Sequence, residues 1–374
     1  HTRTPPARAR GATAHDRAHA HFVTLDMALS SSNSTWTRLV ASPQPPVRFA
    51  AAAAAVQLTA EDSRLSLLIH GGCESYGRES LSDLWALKND TWEAFSPSNL
   101  TPGARCGHAS TADPGAPTVM FMFGGLTAPS KLSDDFLWKF DVPQRTWSKL
   151  GGRGPSARAG LSLDYLSGQL ILFGGFATRP AKPYGDCFGY DVSGVHGHIG
   201  TWKRITTPSG LQARAWHATA SYYGAQGQPF LFLYGGKGRG DEALSDLWRF
   251  DGFRWLELSP AGDGPGPRYG ALGTVLQSWR HPVASLLVSG GVDNSSTVLG
   301  SSFEYSTLTN AWVPGAAAAP GVARAMSIGA RLADPPSSLT IFGGLTGVQP
   351  ASLAKDAWRY DLGDTPPQVT RAGV

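Results

Sequence analysis

No run of 18 consecutive apolar residues occurs in the chain, so the sequence offers no candidate membrane-spanning helix. Nor does any segment sustain apolar residues at i, i+3, i+4 and i+7, and helix content is expected to be near nil. Charge is sparse, at 16% of residues, and the net charge is only +4. Most of that excess sits in residues 1–20, where Arg3, Arg8, Arg10 and Arg17 face Asp16 alone. The rest of the chain is close to neutral, which argues against bulk nucleic-acid binding. Cysteine is nearly absent, with three residues, so neither a disulfide-dense framework nor a four-thiolate metal site can be built. Asparagine is scarcer than this length leads one to expect: Asn33, Asn89, Asn99, Asn294 and Asn310.

What the chain has in excess is punctuation. Glycine pairs close apolar runs at Gly71-Gly72, Gly124-Gly125, Gly174-Gly175, Gly235-Gly236, Gly290-Gly291 and Gly343-Gly344, at intervals of 50–61 residues. Spacing of that order signals a repeat architecture. After most pairs comes a strand with an aromatic and an Asp (SDLWAL, DDFLWKFD, GDCFGYD, SDLWRFD, SSFEY, KDAWRYD). A further strand then carries Trp92, Trp147, Trp202, Trp255 or Trp312. Each unit opens with an arginine followed by small residues: Arg48, Arg105, Arg158, Arg214, Arg268 and Arg324. Every unit therefore reads as four short strands joined by Gly-, Pro- and Ser-rich turns.

Four-stranded units repeated about an axis predict an all-β propeller of six blades. Small residues in the first strand suit a crowded centre, and a large Trp in the last suits the fanned-out rim. Ten of the 12 tryptophans occupy the two repeat positions; Trp216 and Trp279 do not. The sixth unit lacks an outer Trp strand after Trp358, and SSSNSTWTRL, with Trp36, is expected to supply it from the N-terminus. Such closure removes the free sheet edge. HFVTLDM, at residues 21–27, reads as one third strand too many, so an incomplete seventh blade is the alternative. The expected organisation is a basic tail over 1–20, a propeller over 21–365 and a C-terminal tail over 366–374.

The double glycine, the aromatic about 13 residues later and the Trp about 7 beyond it resemble the kelch repeat, and the likeness covers roughly residues 21–365. It implies the propeller fold. It leaves function open, because kelch propellers include enzymes, cytoskeletal adaptors, ubiquitin-ligase substrate receptors and extracellular proteins.

Secretion is expected from the asparagines. Four of the five stand in N-x-[ST] sequons, at Asn33, Asn89, Asn99 and Asn294. The sequence starts at His1, as removal of a signal peptide would leave it. Cys73 and Cys106 fall near the same end of adjacent blades and are expected to form a disulfide, with Cys187 left over.

Repeat symmetry also filters candidates for chemistry, since a framework group recurs in every blade and a catalytic group is needed once. Asp83, Asp186, Asp246 and Asp356 recur two residues before the third-strand aromatic, and His108 and His217 share a spacing from their arginines; all read as framework. Cys187 with His196 and His198 is the best soft-metal set, but the histidines follow the third strand and Cys187 starts it. The tail histidines His15, His19 and His21 form a weaker cluster. No nucleophilic triad, phosphate-cradling loop or cofactor motif stands out, so no metal and no cofactor are expected.

One face is adapted to binding. The six leading arginines start strand one where strand two ends, at one mouth of the channel. The second loops add Arg78, Lys131, Arg179, Lys182, Lys237 and Arg239 there. This predicts a basic rim for an acidic peptide or anionic glycan, unless the arginines are spent on the recurring aspartates. The expected function is a non-enzymatic, secreted, glycosylated scaffold that binds a protein or copies of itself, the latter through the N-terminal tail. An extracellular copper oxidase and an intracellular adaptor are the alternatives.

Overall fold

The structure is a computed structural model of the 374-residue chain. It describes residues 35–361 except 41, 63, 76–79, 152–153, 179–180, 195, 197–198, 225, 277–283, 315–322, 333–337 and 349–350. The tail at 1–20, the segment HFVTLDM, Asn33, Arg78, Arg179, His198, Trp279 and the C-terminal tail lie outside the described residues.

Six antiparallel blades of four strands each make the fold, with an added short strand in blade 3 and short two-stranded hairpins in the glycine loops of blades 2 and 6, and no helix occurs among the described residues. Blade 1, from inner to outer strand, is Ala52–Val56, Ser66–Cys73, Ser80–Lys88 and Thr91–Ala94. Blades 2 to 5 begin with the inner strands Ala109–Asp113, Ala159–Leu166, Ala218–Tyr223 and Leu272–Leu276, and follow the same order. Blade 6 takes Ile328–Leu332, Ser338–Phe342 and Ala357–Asp361 from the end of the chain and Thr35–Leu39 from its start. Trp36 lies opposite Tyr360 in that last pairing, with ring centroids 4.8 Å apart. The closing strand is thus an N-terminal one.

Adjacent blades bury their apolar faces against each other, so the core is a set of seams rather than one centre. The seam of blades 1 and 2 holds Leu68, Met120, Met122, Trp138, Phe140 and Trp147. Alternation does the sorting. In the inner strand of blade 1, Ala52, Ala54 and Val56 are buried while Ala53 and Ala55 are only partly so. Outer-strand tryptophans close the seams, with Trp92, Trp147, Trp255 and Trp312 at most 7% exposed.

Candidate binding face at the glycine loops

The first glycine of each pair stands at positive φ, and glycine is required there. A Cβ on Gly71 would lie 2.5 Å from the Arg105 carbonyl oxygen of the next blade. The second glycine then donates to that same carbonyl: Gly72 to Arg105, Gly125 to Arg158, Gly175 to Arg214, Gly236 to Arg268, Gly291 to Arg324 and Gly344 to Arg48, at 2.8–2.9 Å. The sixth bond returns to the first blade, so the belt is closed.

The side chains of those arginines turn inward, and here the expectation of a binding role fails. Arg48, Arg105, Arg158, Arg214, Arg268 and Arg324 are all at most 6% exposed. Arg214 shows why: it grips Asp246 through two bonds of 2.6 and 2.7 Å and donates to the Gly235 carbonyl at 2.9 Å. Arg48 holds Asp83 and the Gly71 carbonyl in the same way, and Arg158 holds Asp186 and Gly174. A guanidinium already desolvated and bidentate with a carboxylate has nothing left for a partner. These six belong to the framework, and the binding face loses them.

The aspartates are framework as well. Trp85, Trp248 and Trp358 each donate their indole N–H to the Asp two residues earlier, at 2.7 Å. Burial pushes Asp83 and Asp246 upward, but the bonds and charge of Arg48 and Arg214 outweigh it and hold both below the ordinary carboxylate range. Two members of this set were hidden in the sequence. In blade 2 the carboxylate is Asp134, four residues before Trp138, which donates to it at 3.1 Å. In blade 5 no carboxylate bonds Arg268 among the described residues; the side chain it bonds is Ser301, whose Oγ is 3.3–3.4 Å away.

Two residues past each arginine, a second ring of hydrogen bonds encircles the channel mouth. The amide of Gly107 bonds Ala50, Gly160 bonds Gly107, Trp216 bonds Gly160, Gly270 bonds Trp216, Met326 bonds Gly270 and Ala50 bonds Met326, at 2.7–2.9 Å. All six residues have positive φ, which glycine adopts freely and Ala50, Trp216 and Met326 adopt under constraint. The two large side chains roof the collar. Trp216 lies over Gly107 and Gly160, where any Cβ would strike its ring, and Met326 leans over Gly270. Tyr269, Leu126, Val298, Val348 and Leu353 pack around them, so the mouth is floored by apolar, half-buried surface.

The loop cations stand around this floor. Lys131, Lys182 and Arg239 are exposed and make no salt bridge among the described residues, whereas Lys237 is paired with Asp241 at 3.0 Å. Asp135 is exposed on the same loops, and Asp241 is 87% exposed. Among the described residues the rim therefore carries both signs.

Cys73 and Cys106 are joined in a disulfide, Sγ–Sγ 2.01 Å, that links the glycine loop of blade 1 to blade 2. Cys187 is fully buried against Trp255, Phe173 and Leu211, and burial pushes its thiol up to about 12. His196 lies beyond the opposite end of the Cys187–Asp191 strand, its Nε2 2.9 Å from the Ser167 carbonyl oxygen. Cys187 and His196 therefore lie apart, at opposite ends of that strand.

His70 and His108 meet in the seam of blades 1 and 2, Nδ1 to Nε2 3.1 Å. His217 bonds Ser162 Oγ at 3.0 Å in the seam of blades 3 and 4. Burial, aided by nearby arginines, lowers all three, His70 and His217 to about 3. Asn89 is exposed at the tip of a two-residue hairpin with φ +48°. Asn294 accepts from the Ala243 amide at 2.6 Å through Oδ1, which leaves its amide nitrogen outward. Asn99 differs: its Nδ2 donates to the Trp147 carbonyl and its Oδ1 accepts from the Trp147 amide, both at 2.8 Å. A glycan on that nitrogen competes with the pairing.

A closed ring of four-stranded blades, locked by buried Arg–Asp pairs under double-glycine loops, defines a six-bladed repeat propeller. The profile of the KLHDC2/KLHL20/DRC7 Kelch-repeats domain matches residues 59–281. Kelch domain-containing protein 3 of Homo sapiens is 28% identical over 195 residues, covering 50% of this chain and 49% of that protein. The Rattus norvegicus protein of the same name is 26% identical over 209 residues, covering 50% and 53%. The chain spans about half the length of the curated relatives it matches. A solved structure titled "Structure of YjhT" shares the fold, with TM-score 0.62 over 84% of this chain and 95% of that one, at 16% identity. The chain belongs to the kelch-repeat family.

Proposed function

We propose that the chain is a non-enzymatic, protein-binding propeller and that its glycine-loop face receives the partner. The observation that carries this reading is the channel mouth, ringed by the collar, with Trp216 over Gly107 and Gly160 and Met326 over Gly270. Exposed Lys131, Lys182 and Arg239 stand around it. An apolar centre with a charged rim is the anatomy of a protein interface. The free cations favour a partner that presents acidic residues around an apolar one.

Trp216→Gly tests the reading. Gly107, Gly160 and Gly270 occupy the same collar position, so the variant keeps the backbone and removes only the roof. Partners captured by the native chain should be lost to Trp216→Gly and retained by Phe253→Ser, whose ring is 89% exposed on the opposite face. Loss to Phe253→Ser alone would place binding on the other face and end this reading.

Secretion belongs to the same proposal. It is supported by the Cys73–Cys106 disulfide and by the outward amides of Asn89 and Asn294. The spent amide of Asn99 favours the intracellular adaptor instead. Intact mass before and after glycosidase treatment of the chain from its native source separates the two. A shift at Asn89 or Asn294 supports secretion, and unmodified asparagines throughout support the adaptor.

A further inference from the structure

In five blades the residue three places before the first glycine is large and apolar, and it plugs the seam to the next blade: Leu68, Phe121, Ile171, Phe232 and Leu287. Blade 6 places Thr340 there. Blade 4 gives the direct comparison, because Phe232 has Ala220 and Arg249 beside it across the sheet, and Thr340 has Ala330 and Arg359. The frame is the same and only the plug is missing.

Where it is missing a cleft of about 400 Å³ opens between blades 6 and 1, on the face away from the glycine loops. Ser66, Lys88, Asp90 and Arg64 of blade 1 line it opposite Thr340 and Arg359. Thr340 is 1% exposed and its Oγ1 has no hydrogen-bond partner, although buried hydroxyls in folded chains are nearly always satisfied. Arg359 reaches across the seam to Asp90 at 2.6 Å, and Lys88 is tied to Asp62 at 2.8 Å. Arg64, exposed at the rim, makes no salt bridge among the described residues. Lys88 and Arg359 are thus paired with Asp62 and Asp90, and Arg64 leaves the cleft with one positive charge in excess.

We propose that this seam is a binding site for a phosphate group, free or carried on a small molecule. Arg64 and Arg359 supply its charge partners, and Thr340 Oγ1 donates the hydrogen bond it makes to nothing else. Such a ligand joins blade 6 to blade 1 across their seam. The site is separate from the glycine-loop face.

The test uses the whole chain and two probes, inorganic phosphate and glycerol 1-phosphate, with sodium chloride at matched ionic strength as the reference. Phosphate should raise the melting temperature beyond chloride, increasingly with concentration. Thr340→Leu restores the side chain of blades 1 and 5, and should fold as well as the native chain while binding phosphate roughly tenfold more weakly or worse. Arg64→Gln, at the exposed rim, should weaken binding with no change in the melting temperature of the unliganded chain. A response to the ester alone supports the site and shows that the organic part is read as well. A response to inorganic phosphate as strong as to the ester supports a site for the bare group. Neither probe doing better than chloride, or Thr340→Leu responding like the native chain, overturns the proposal.

Discussion

The repeat allows one interaction to be measured against an internal control. Arg214 is fully buried, with a bidentate bond to Asp246, while Arg268 occupies the same place in blade 5 with the Ser301 hydroxyl, backbone carbonyls and the Phe303 ring around it and no carboxylate bonded to it among the described residues. Arg214→Met keeps the length of the stem and removes the head. It leaves Asp246 in a seam with the Trp248 indole as its remaining strong donor, and the Gly235 carbonyl without its side-chain bond. Breaking a buried pair on one side costs about 3–5 kcal/mol. Asp246 keeps 22% of its side chain in contact with solvent, which puts the expectation at the lower end, about 3 kcal/mol. Arg268→Met loses neutral hydrogen bonds but also relieves an uncompensated buried cation, for a net cost of about 1 kcal/mol or less. Urea unfolding of both variants at pH 7, compared through their midpoints and slopes, reads the difference of about 2 kcal/mol. If Arg268→Met destabilises as much as Arg214→Met, the carboxylates contribute nothing and the account of the framework given above is wrong.

Acid sensitivity has a predictable sign. His70 and His217 are neutral when folded down to about pH 3, and His108 well below its usual value, but all three take a proton near 6.5 when unfolded. The unfolded chain therefore binds more protons below pH 6.5, and stability falls as pH falls through that window. Asp164 acts oppositely, because burial raises its carboxyl to about 7 and the folded chain keeps a proton that the unfolded one sheds. Histidines outnumber it, so the net slope is a loss toward acid. His70→Phe, which restores the residue of blades 2, 3 and 6, should flatten that slope by about 1.4 kcal/mol per pH unit in unfolding titrations between pH 4 and 6; an unchanged slope refutes the assignment. Reduction of Cys73–Cys106, which closes a loop of 33 residues, should cost about 3–4 kcal/mol in denaturant unfolding with and without reductant. A cost near zero would mean that the belt of backbone bonds already fixes that loop.

The fold was legible because its devices repeat. Glycine pairs, leading arginines and outer tryptophans each have a steric or packing cause that acts in every blade, so six examples reinforce one another. Closure by Trp36 followed from a missing strand at one end and a spare at the other. The binding face was legible only in part. The sequence placed the six arginines at the correct mouth, but whether a side chain points in or out depends on what stands opposite it. Asp134 was overlooked because two extra residues separate it from Trp138, and Ser301 because it has the wrong chemistry. Trp216 stood out as irregular, yet nothing local marks it as a roof. Its neighbours Gly107 and Gly160 lie in other blades.

The outer strand of blade 6 also sets a timetable for synthesis. Thr35–Leu39 leaves the ribosome before any other described strand of the propeller, but its partner Ala357–Asp361 follows roughly 320 residues later, on the order of tens of seconds at ordinary elongation rates. Throughout that interval the nascent chain carries an unmatched strand with Trp36 on it, while blades 1 to 5 can already assemble from contiguous sequence. Closure of the propeller is then the capture of its first strand by its last, and a chain truncated before Ala357 would keep an adhesive end.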